Sequence, residues 1–151
     1  MLLQKELQAA VKVPVVTSSL LQLPALLVHH SVVGVLTISA SKLGSEHLRA
    51  AGVQSARLQD VVVQGVDAKS EFATTILGNR SKMDVVRTQA EVVVAAVALK
   101  NRNPALQCVV LECTNLPPYR AAIEAATGMK TWALMDDERL TRPWAQVRSD
   151  T

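Results

Sequence analysis

The clearest structural signal in this chain is the stretch Val109-Val110-Leu111-Glu112-Cys113-Thr114-Asn115-Leu116-Pro117-Pro118-Tyr119. An apolar run ends on a cysteine, two small polar residues follow, and a pair of prolines leads into an alanine-rich segment. This order predicts a buried strand that carries a thiol to the start of a helix. A helix N-terminus favours both a thiolate and a bound carboxylate, so the stretch also predicts half of an active site.

The same order of apolar strand and helix recurs along the chain. Strands are predicted at 13–17, 32–37, 61–63, 109–112 and 130–135. Helices are predicted at 3–10, near 43–51, from 81 to the proline at 104, at 118–127, and once more before the polar tail. Continuous apolar strands that alternate with helices predict an α/β fold with parallel sheets flanked by helices.

The segment that begins at Ser81 is the strongest helix prediction. Ser81 and Asp84 fit a capping box, and Pro104 ends the helical pattern. Apolar residues recur at helical spacing and predict the buried face of this helix: Val86, Ala90, Val93 and Val97.

Composition limits the classes of function that this chain can serve. At 151 residues, with 49% hydrophobic residues and a mean hydropathy of +0.21, it can bury the core of one domain or of two small lobes. The net charge of +3 comes from scattered basic residues and only 3% of residues are aromatic, so no nucleic-acid partner is expected. Two prolines and a histidine pair interrupt the apolar stretch 13–38, which excludes a membrane-spanning helix there. Two cysteines without a disulfide framework, and a start unlike a signal peptide, predict a cytoplasmic protein.

An internal similarity predicts a duplicated unit. Leu7–Val16 aligns with Ile123–Trp132, and both segments are predicted to pass from the end of a helix into a strand. The equivalent of Cys113 in the first copy would then precede Met1. We therefore expect the chain to begin inside the first unit, without its opening strands and its cysteine.

Three segments resemble the aspartate/glutamate racemase superfamily: Leu111–Tyr119, Val15–Leu23 and Val33–Thr37. The resemblance extends over nearly the whole chain and implies two Rossmann-like, pseudo-symmetric lobes with the active site between them. By this resemblance, residues 1–24 are the remnant of an incomplete first lobe and residues 25–135 form the second lobe. Residues 136–151 would form a C-terminal helix and tail that return to the first lobe.

The resemblance also implies cofactor-independent proton transfer at the α-carbon of a small carboxylate or amino-acid substrate. In the racemases of this superfamily one cysteine from each lobe faces the substrate, and Cys113 corresponds to the second. Inversion needs a thiolate base on one face of the carbon and a thiol acid on the other. We therefore expect this chain to be an isomerase of impaired activity, with Cys113 as its catalytic residue.

Five polar residues at predicted strand ends are candidate substrate ligands: Ser18, Ser19, Thr37, Thr114 and Asn115. They share one edge with Cys113, because the carboxyl ends of parallel strands meet on the same side of a sheet. Glu112 has two equally weighted interpretations: it orients Cys113, or it is a solvated or ion-paired group at the rim of the sheet. Cys108 is interpreted as part of the core. The three histidines lack ligand spacing, so no metal site is expected. The resemblance to the superfamily implies that no cofactor is needed.

Two alternatives to racemisation remain open from the sequence. One is a one-cysteine decarboxylase or isomerase of the same superfamily, and the other is a truncated domain without catalytic activity. The expected partner is a small carboxylate or amino-acid substrate, with neither nucleic acid nor membrane. An unfinished sheet exposes apolar surface, which predicts association into a homo-oligomer.

Overall fold

Four parallel strands form the centre of the molecule. The computed structural model describes residues 3–141. The strands are β1 (Val33–Thr37), β2 (Val61–Gly65), β3 (Cys108–Leu111) and β4 (Lys130–Trp132), in the order β2-β1-β3-β4. Within residues 3–141 the α-helices are α1 (Gln4–Ala10), α2 (Leu23–His29), α3 (Ser45–Ala50), α4 (Glu71–Leu77), α5 (Val85–Arg102), α6 (Arg120–Thr127) and α7 (Glu138–Thr141). The predicted α/β class with a parallel sheet is confirmed.

The central strands β1 and β3 are buried on both faces of the sheet. Neighbouring residues of a strand point to opposite sides, so each strand contributes to two layers. Val33 and Val35 of β1 pack with buried leucines of α2 and α3. Leu36 of β1 and Leu111 of β3 pack on the other side with residues of α4, α5 and α6. We call these two layers the α2–α3 face and the α5–α6 face.

Gly34 allows α5 to approach the sheet closely. A Cβ atom at this position would lie 3.0 Å from Cδ2 of Leu99 and 3.4 Å from the carbonyl oxygen of Cys108. Because Gly34 has no side chain, the isobutyl group of Leu99 fits against the middle of β1, where it is fully buried. This contact fixes the height of α5 over the centre of the sheet.

The predicted strand at 13–17 is wrong. α1 forms at Gln4–Ala10 as expected, but the segment after it has no regular secondary structure and does not join the sheet. Side chains of α1 satisfy its backbone instead: Nε2 of Gln4 donates to the carbonyl of Val15 at 2.6 Å, and the Val15 amide donates to Oε1 of Gln8 at 2.8 Å. The internal similarity therefore aligns a strand, β4, with a segment that is not one.

The capping residue and the buried face predicted for α5 also need correction. Asp84, not Ser81, is the N-cap residue, and its carboxylate accepts from the Arg87 amide at 3.0 Å. Two residues of the predicted face, Val86 and Ala90, are misassigned: Val86 is exposed, and the buried positions follow a different register. The buried residues of this helix are Thr88, Val92, Ala95, Ala96 and Leu99. The helix is apolar on most sides, so spacing alone did not identify the face that meets the sheet.

Two helices, α2 and α4, were not predicted from the sequence, and β4 is shorter than the strand predicted at 130–135. The ends of two other helices agree with the sequence predictions. The helix before Gly128 ends in a left-handed residue, with φ of +67° at Gly128 and its amide bonded to the Glu124 carbonyl. Gly52, with φ of +96°, follows α3 as expected. The C-terminal segment contains α7, and the rest of the predicted final helix and tail lies outside the described residues. The domain boundaries at 24/25 and 135/136 stay predictions.

Candidate active site

The candidate site lies where the chain reverses its direction of travel across the sheet. β1 is followed by β2 on one side, and the chain then returns to place β3 on the other side of β1. The carboxyl ends of β1 and β3 are therefore a topological switch point, where open α/β sheets bind their ligands. Thr37 ends β1, and Glu112 and Cys113 follow β3.

Two adjoining pockets open at this edge. The first has a volume of about 260 Å³ and contains Cys113, and the second has a volume of about 300 Å³. The residues that line both are Thr17, Ser18, Ile38 and Glu112. The first is also lined by Ser19, Cys113, Thr114 and Leu134, and the second by Leu20, Thr37, Ser39, Lys42, Leu43, His47 and Leu77. Because they share four residues, the two pockets form one cleft.

Cys113 is a half-buried thiol on the wall of this cleft. Burial raises the pKa of the Cys113 thiol, hydrogen bonds from Asn115 offset part of that increase, and the charge of Glu112 adds to it. Nδ2 of Asn115 lies 3.9 Å from Sγ. Thiolate formation is therefore disfavoured relative to an ordinary cysteine.

The predicted lowering of this pKa by a helix N-terminus is wrong. α6 begins only at Arg120, and Pro117 and Pro118 have no amide hydrogen to offer. The Asn115 amide does bond to the thiol, but its effect is smaller than that of burial. The next amides are engaged elsewhere, since Leu116 donates to the Cys113 carbonyl and Tyr119 donates to the Leu116 carbonyl. The helix entrance follows Cys113 in the chain, but the Leu116 and Tyr119 amides are used within the turn itself.

Glu112 holds a central position that the candidate set did not include. Its amide donates to the Leu36 carbonyl at 2.9 Å, which fixes its backbone against β1. Oγ1 of Thr37 donates to its Oε2 at 2.8 Å. No lysine, arginine or histidine within residues 3–141 forms an ion pair with it. Its place between Cys113 and the end of β3 was the signal in the sequence.

The two serines predicted as ligands make structural hydrogen bonds. Oγ of Ser18 accepts from the Leu20 amide at 3.2 Å and caps a short 3-10 helix. Oγ of Ser19 donates to the Leu111 carbonyl at 2.9 Å, so this buried hydroxyl braces the end of β3. Ser18 still lines both pockets, and Ser19 lines the pocket of Cys113. Their role as substrate ligands stays a prediction.

The other three predicted ligands differ in their position relative to the cleft. Thr114 lines the pocket of Cys113, and Thr37 lines the adjoining one. Asn115 lines neither of these two pockets and contacts Cys113 instead. Lys42 and His47 were not predicted as ligands, although their place in the connection after β1 puts them at the same edge.

Cys108 is confirmed as a core residue. Its side chain is 1% exposed on the α2–α3 face, and burial raises the pKa of the thiol to about 11. The described residues, 3–141, contain no group of three or more His, Cys, Asp or Glu side chains that could hold a metal ion. Over the same range no helix is both long enough and apolar enough to cross a membrane.

Comparison with known proteins gives one informative relative. A dimethylsulfoniopropionate lyase from Durusdinium sp. clade D is 27% identical over 138 residues, an alignment that covers 85% of this chain and 44% of the lyase. The chain thus spans less than half the length of this relative. No protein-family model matches the chain, and no solved structure matches it.

These comparisons overturn the assignment to the racemase superfamily. The relative is named as a lyase, an enzyme class different from racemases, and no family model supports the superfamily. The predicted racemase or isomerase activity is therefore wrong, and the alternatives drawn from the same superfamily fall with it. The alternative of a truncated, non-catalytic domain gains no better support.

Proposed function

We propose that this chain carries the catalytic site of a lyase that acts on a small carboxylic acid by β-elimination. The observation that carries the proposal is the half-buried thiol of Cys113 in a cleft at the switch point of the sheet. Similarity to a dimethylsulfoniopropionate lyase supports elimination as the reaction.

In this reaction the Cys113 thiolate removes a proton from the carbon next to the carboxylate. The electron pair left behind forms the new carbon–carbon double bond, and the group on the β-carbon leaves with the electrons of its own bond. For dimethylsulfoniopropionate the products are acrylate and dimethyl sulfide, and the abstracted proton remains on Sγ of Cys113. A thiol of raised pKa is a strong base once ionised, which suits the removal of a weakly acidic proton.

The substrate carboxylate is proposed to bind among the donors of the cleft. The Lys42 ammonium, the Ser18 hydroxyl and the Thr114 hydroxyl belong to residues that line it, and Asn115 lies beside the thiol. Hydrogen bonds to this carboxylate would spread the negative charge that develops when the α-proton is removed. Ser19 would hold the end of β3 in place through its hydrogen bond to the Leu111 carbonyl. Thr37 would hold the side chain of Glu112 in place in the same way.

A finer architecture and a location belong to the same proposal. Two pseudo-symmetric lobes would enclose the substrate between their facing edges, with the sheet described above in one of them. The greater length of the lyase relative, and the exposure of Asn115 at this edge, support such a facing surface. We also propose a cytoplasmic location, which two cysteines without a disulfide bond support.

Elimination from dimethylsulfoniopropionate tests the proposal. The purified 151-residue chain is incubated with this compound, and acrylate is followed by proton NMR and dimethyl sulfide by headspace gas chromatography. We expect both products to form in equal amounts, and Cys113→Ala to reduce the rate by at least about 100-fold.

Cys108→Ala is the matched control, because it removes the other thiol without touching the cleft. Activity that survives Cys113→Ala would contradict the assigned base. Failure of the chain to form either product, in a preparation whose circular dichroism shows an α/β fold, would contradict the proposed reaction.

A further inference from the structure

Glu112 lies at the point where the two pockets of the cleft meet, and no residue within 3–141 serves as its counter-ion. Thr37 donates a hydrogen bond to Oε2, and no hydrogen bond to Oε1 is present over the same range. Lys42 lines one of the pockets but makes no ion pair with Glu112 within 4.0 Å in the described part of the chain. Among the described residues, the cleft therefore presents one free carboxylate oxygen.

This carboxylate is poorly suited to the proposed elimination unless a cation neutralises it. Its negative charge disfavours ionisation of the neighbouring Cys113 and repels an approaching substrate carboxylate. A partly desolvated carboxylate is also costly without a partner. The backbone bond to Leu36 and the side-chain bond to Thr37 nevertheless hold Glu112 in the cleft.

We propose that Glu112 binds the cationic end of a zwitterionic substrate, an onium or ammonium group on the β-carbon of the acid. This inference rests on the proposed function and names its substrate class. The carboxylate of such a substrate would lie toward Thr114, in the pocket that contains Cys113, and its cation toward Glu112. Glu112 is then a specificity-determining residue that selects substrates whose leaving group carries positive charge.

Binding of the cation also prepares the base. Burial is the main cause of the raised pKa of the Cys113 thiol, and the charge of Glu112 adds to it. A positive group beside Glu112 cancels this added contribution, so ionisation of the thiol becomes easier when the correct substrate is bound. A neutral acid of the same shape leaves the charge of Glu112 in place. The site therefore discriminates between cationic and neutral substrates in two ways: by the strength with which Glu112 binds them and by the ease with which the Cys113 thiol ionises.

Charged thiol reagents test the proposal without any need for lyase activity. The rate of disulfide formation at Cys113 is measured with trimethylammonioethyl methanethiosulfonate and with its uncharged isostere, 3,3-dimethylbutyl methanethiosulfonate. We expect the ratio of the cationic rate to the neutral rate to fall about threefold or more in Glu112→Gln. The ratio removes any change in thiolate fraction, because that change affects both reagents equally.

The control is Glu6→Gln, which makes the same change in net charge on the exposed surface of α1. It should leave the ratio unchanged. In Glu112→Gln the amide oxygen of the new side chain can still accept a hydrogen bond from Thr37, so the fold is expected to persist. Glu112→Asp keeps the negative charge and should restore part of the ratio. An equal ratio in wild type and Glu112→Gln would overturn the proposal.

Failure of this proposal can be distinguished from failure of the lyase function. If the reagent ratio falls but no sulfonium acid is eliminated, cation binding by Glu112 stands and the lyase function fails. If elimination occurs and Glu112→Gln changes neither the ratio nor KM for the sulfonium acid, the lyase function stands and the role of Glu112 is overturned.

Discussion

Two thiols five residues apart in the chain have opposite surroundings. Cys108 points into the α2–α3 face and is 1% exposed, whereas Cys113 lies beyond the end of β3 on the wall of the cleft. Burial raises the pKa of both thiols, and to about 11 for Cys108. The two residues therefore differ in access to solvent more than in the direction of their pKa shifts.

Alkylation by iodoacetamide should distinguish the two thiols. We expect folded protein to be labelled at Cys113 well before Cys108, because Cys113 lines an open pocket and Cys108 lies in the core. At pH 7.5 Cys113 should react more slowly in folded protein than in 8 M urea, since its raised pKa leaves less thiolate. In folded protein its labelling rate should increase about tenfold per pH unit, up to a titration midpoint above the ordinary cysteine pKa of about 8.5.

Mass spectrometry after cleavage at Glu112 separates the two cysteines into different peptides. Faster labelling of Cys108 would contradict the assignment of Cys113 to the cleft. A midpoint below the ordinary cysteine value would contradict the effect of burial on Cys113 and would restore the helix N-terminus as the dominant influence.

Much of the site at this scale could be predicted from the sequence. The position of Cys113 followed from an apolar run that ends in polar residues, and Ser18, Ser19 and Thr114 do line the same pocket. The direction in which the Cys113 pKa shifts could not be predicted, because it depends first on how deeply the thiol is buried and then on where the amides after it are directed. Glu112 could be found as a neighbour of Cys113, but its lack of a counter-ion within residues 3–141 required the positions of side chains far apart in the chain.

At the scale of single elements, residue type determined which segments became helices and strands, and tertiary contacts determined the details. The alternation of apolar strands with helices predicted β1, β2, β3 and β4. The segment 13–17 has the β-branched composition of a strand, yet the side chains of Gln4 and Gln8 satisfy its backbone. Such a replacement of strand partners by side chains has no signature in local composition.

Removal of the side chain of Asp84 should destabilise α5. Its carboxylate accepts from the Arg87 amide at 3.0 Å, so Asp84→Ala is expected to lower the free energy of unfolding by about 1 kcal/mol. Ser81→Ala is the matched control and should change it by less than about 0.5 kcal/mol, because Ser81 is exposed outside the helix. Urea denaturation followed by circular dichroism measures both variants. A larger effect of Ser81→Ala would identify Ser81 as the cap.

At the scale of the whole described molecule, one sheet connects two separate layers of core. The α2–α3 face contains Leu23 and the α5–α6 face contains Leu99, and both side chains are fully buried. Adjacent residues of β1 contribute to opposite layers, as Val35 and Leu36 do. Loss of either layer would expose one face of the same strands, so the two layers should not unfold independently.

Cavity-forming substitutions in the two layers should therefore affect one shared transition. We expect Leu23→Ala and Leu99→Ala each to lower the free energy of unfolding by about 2–5 kcal/mol, while Val94→Ala, at a position 69% exposed on α5, changes it by less than about 0.5 kcal/mol. Urea titrations monitored by tryptophan fluorescence and by circular dichroism should give coincident curves for every variant. If Leu23→Ala separated the two curves while Leu99→Ala did not, the α2–α3 layer would be an independent folding unit. Coincident curves would instead mean that any substrate bound at the ends of β1 and β3 stabilises both layers together, because its site is built from strands that they share.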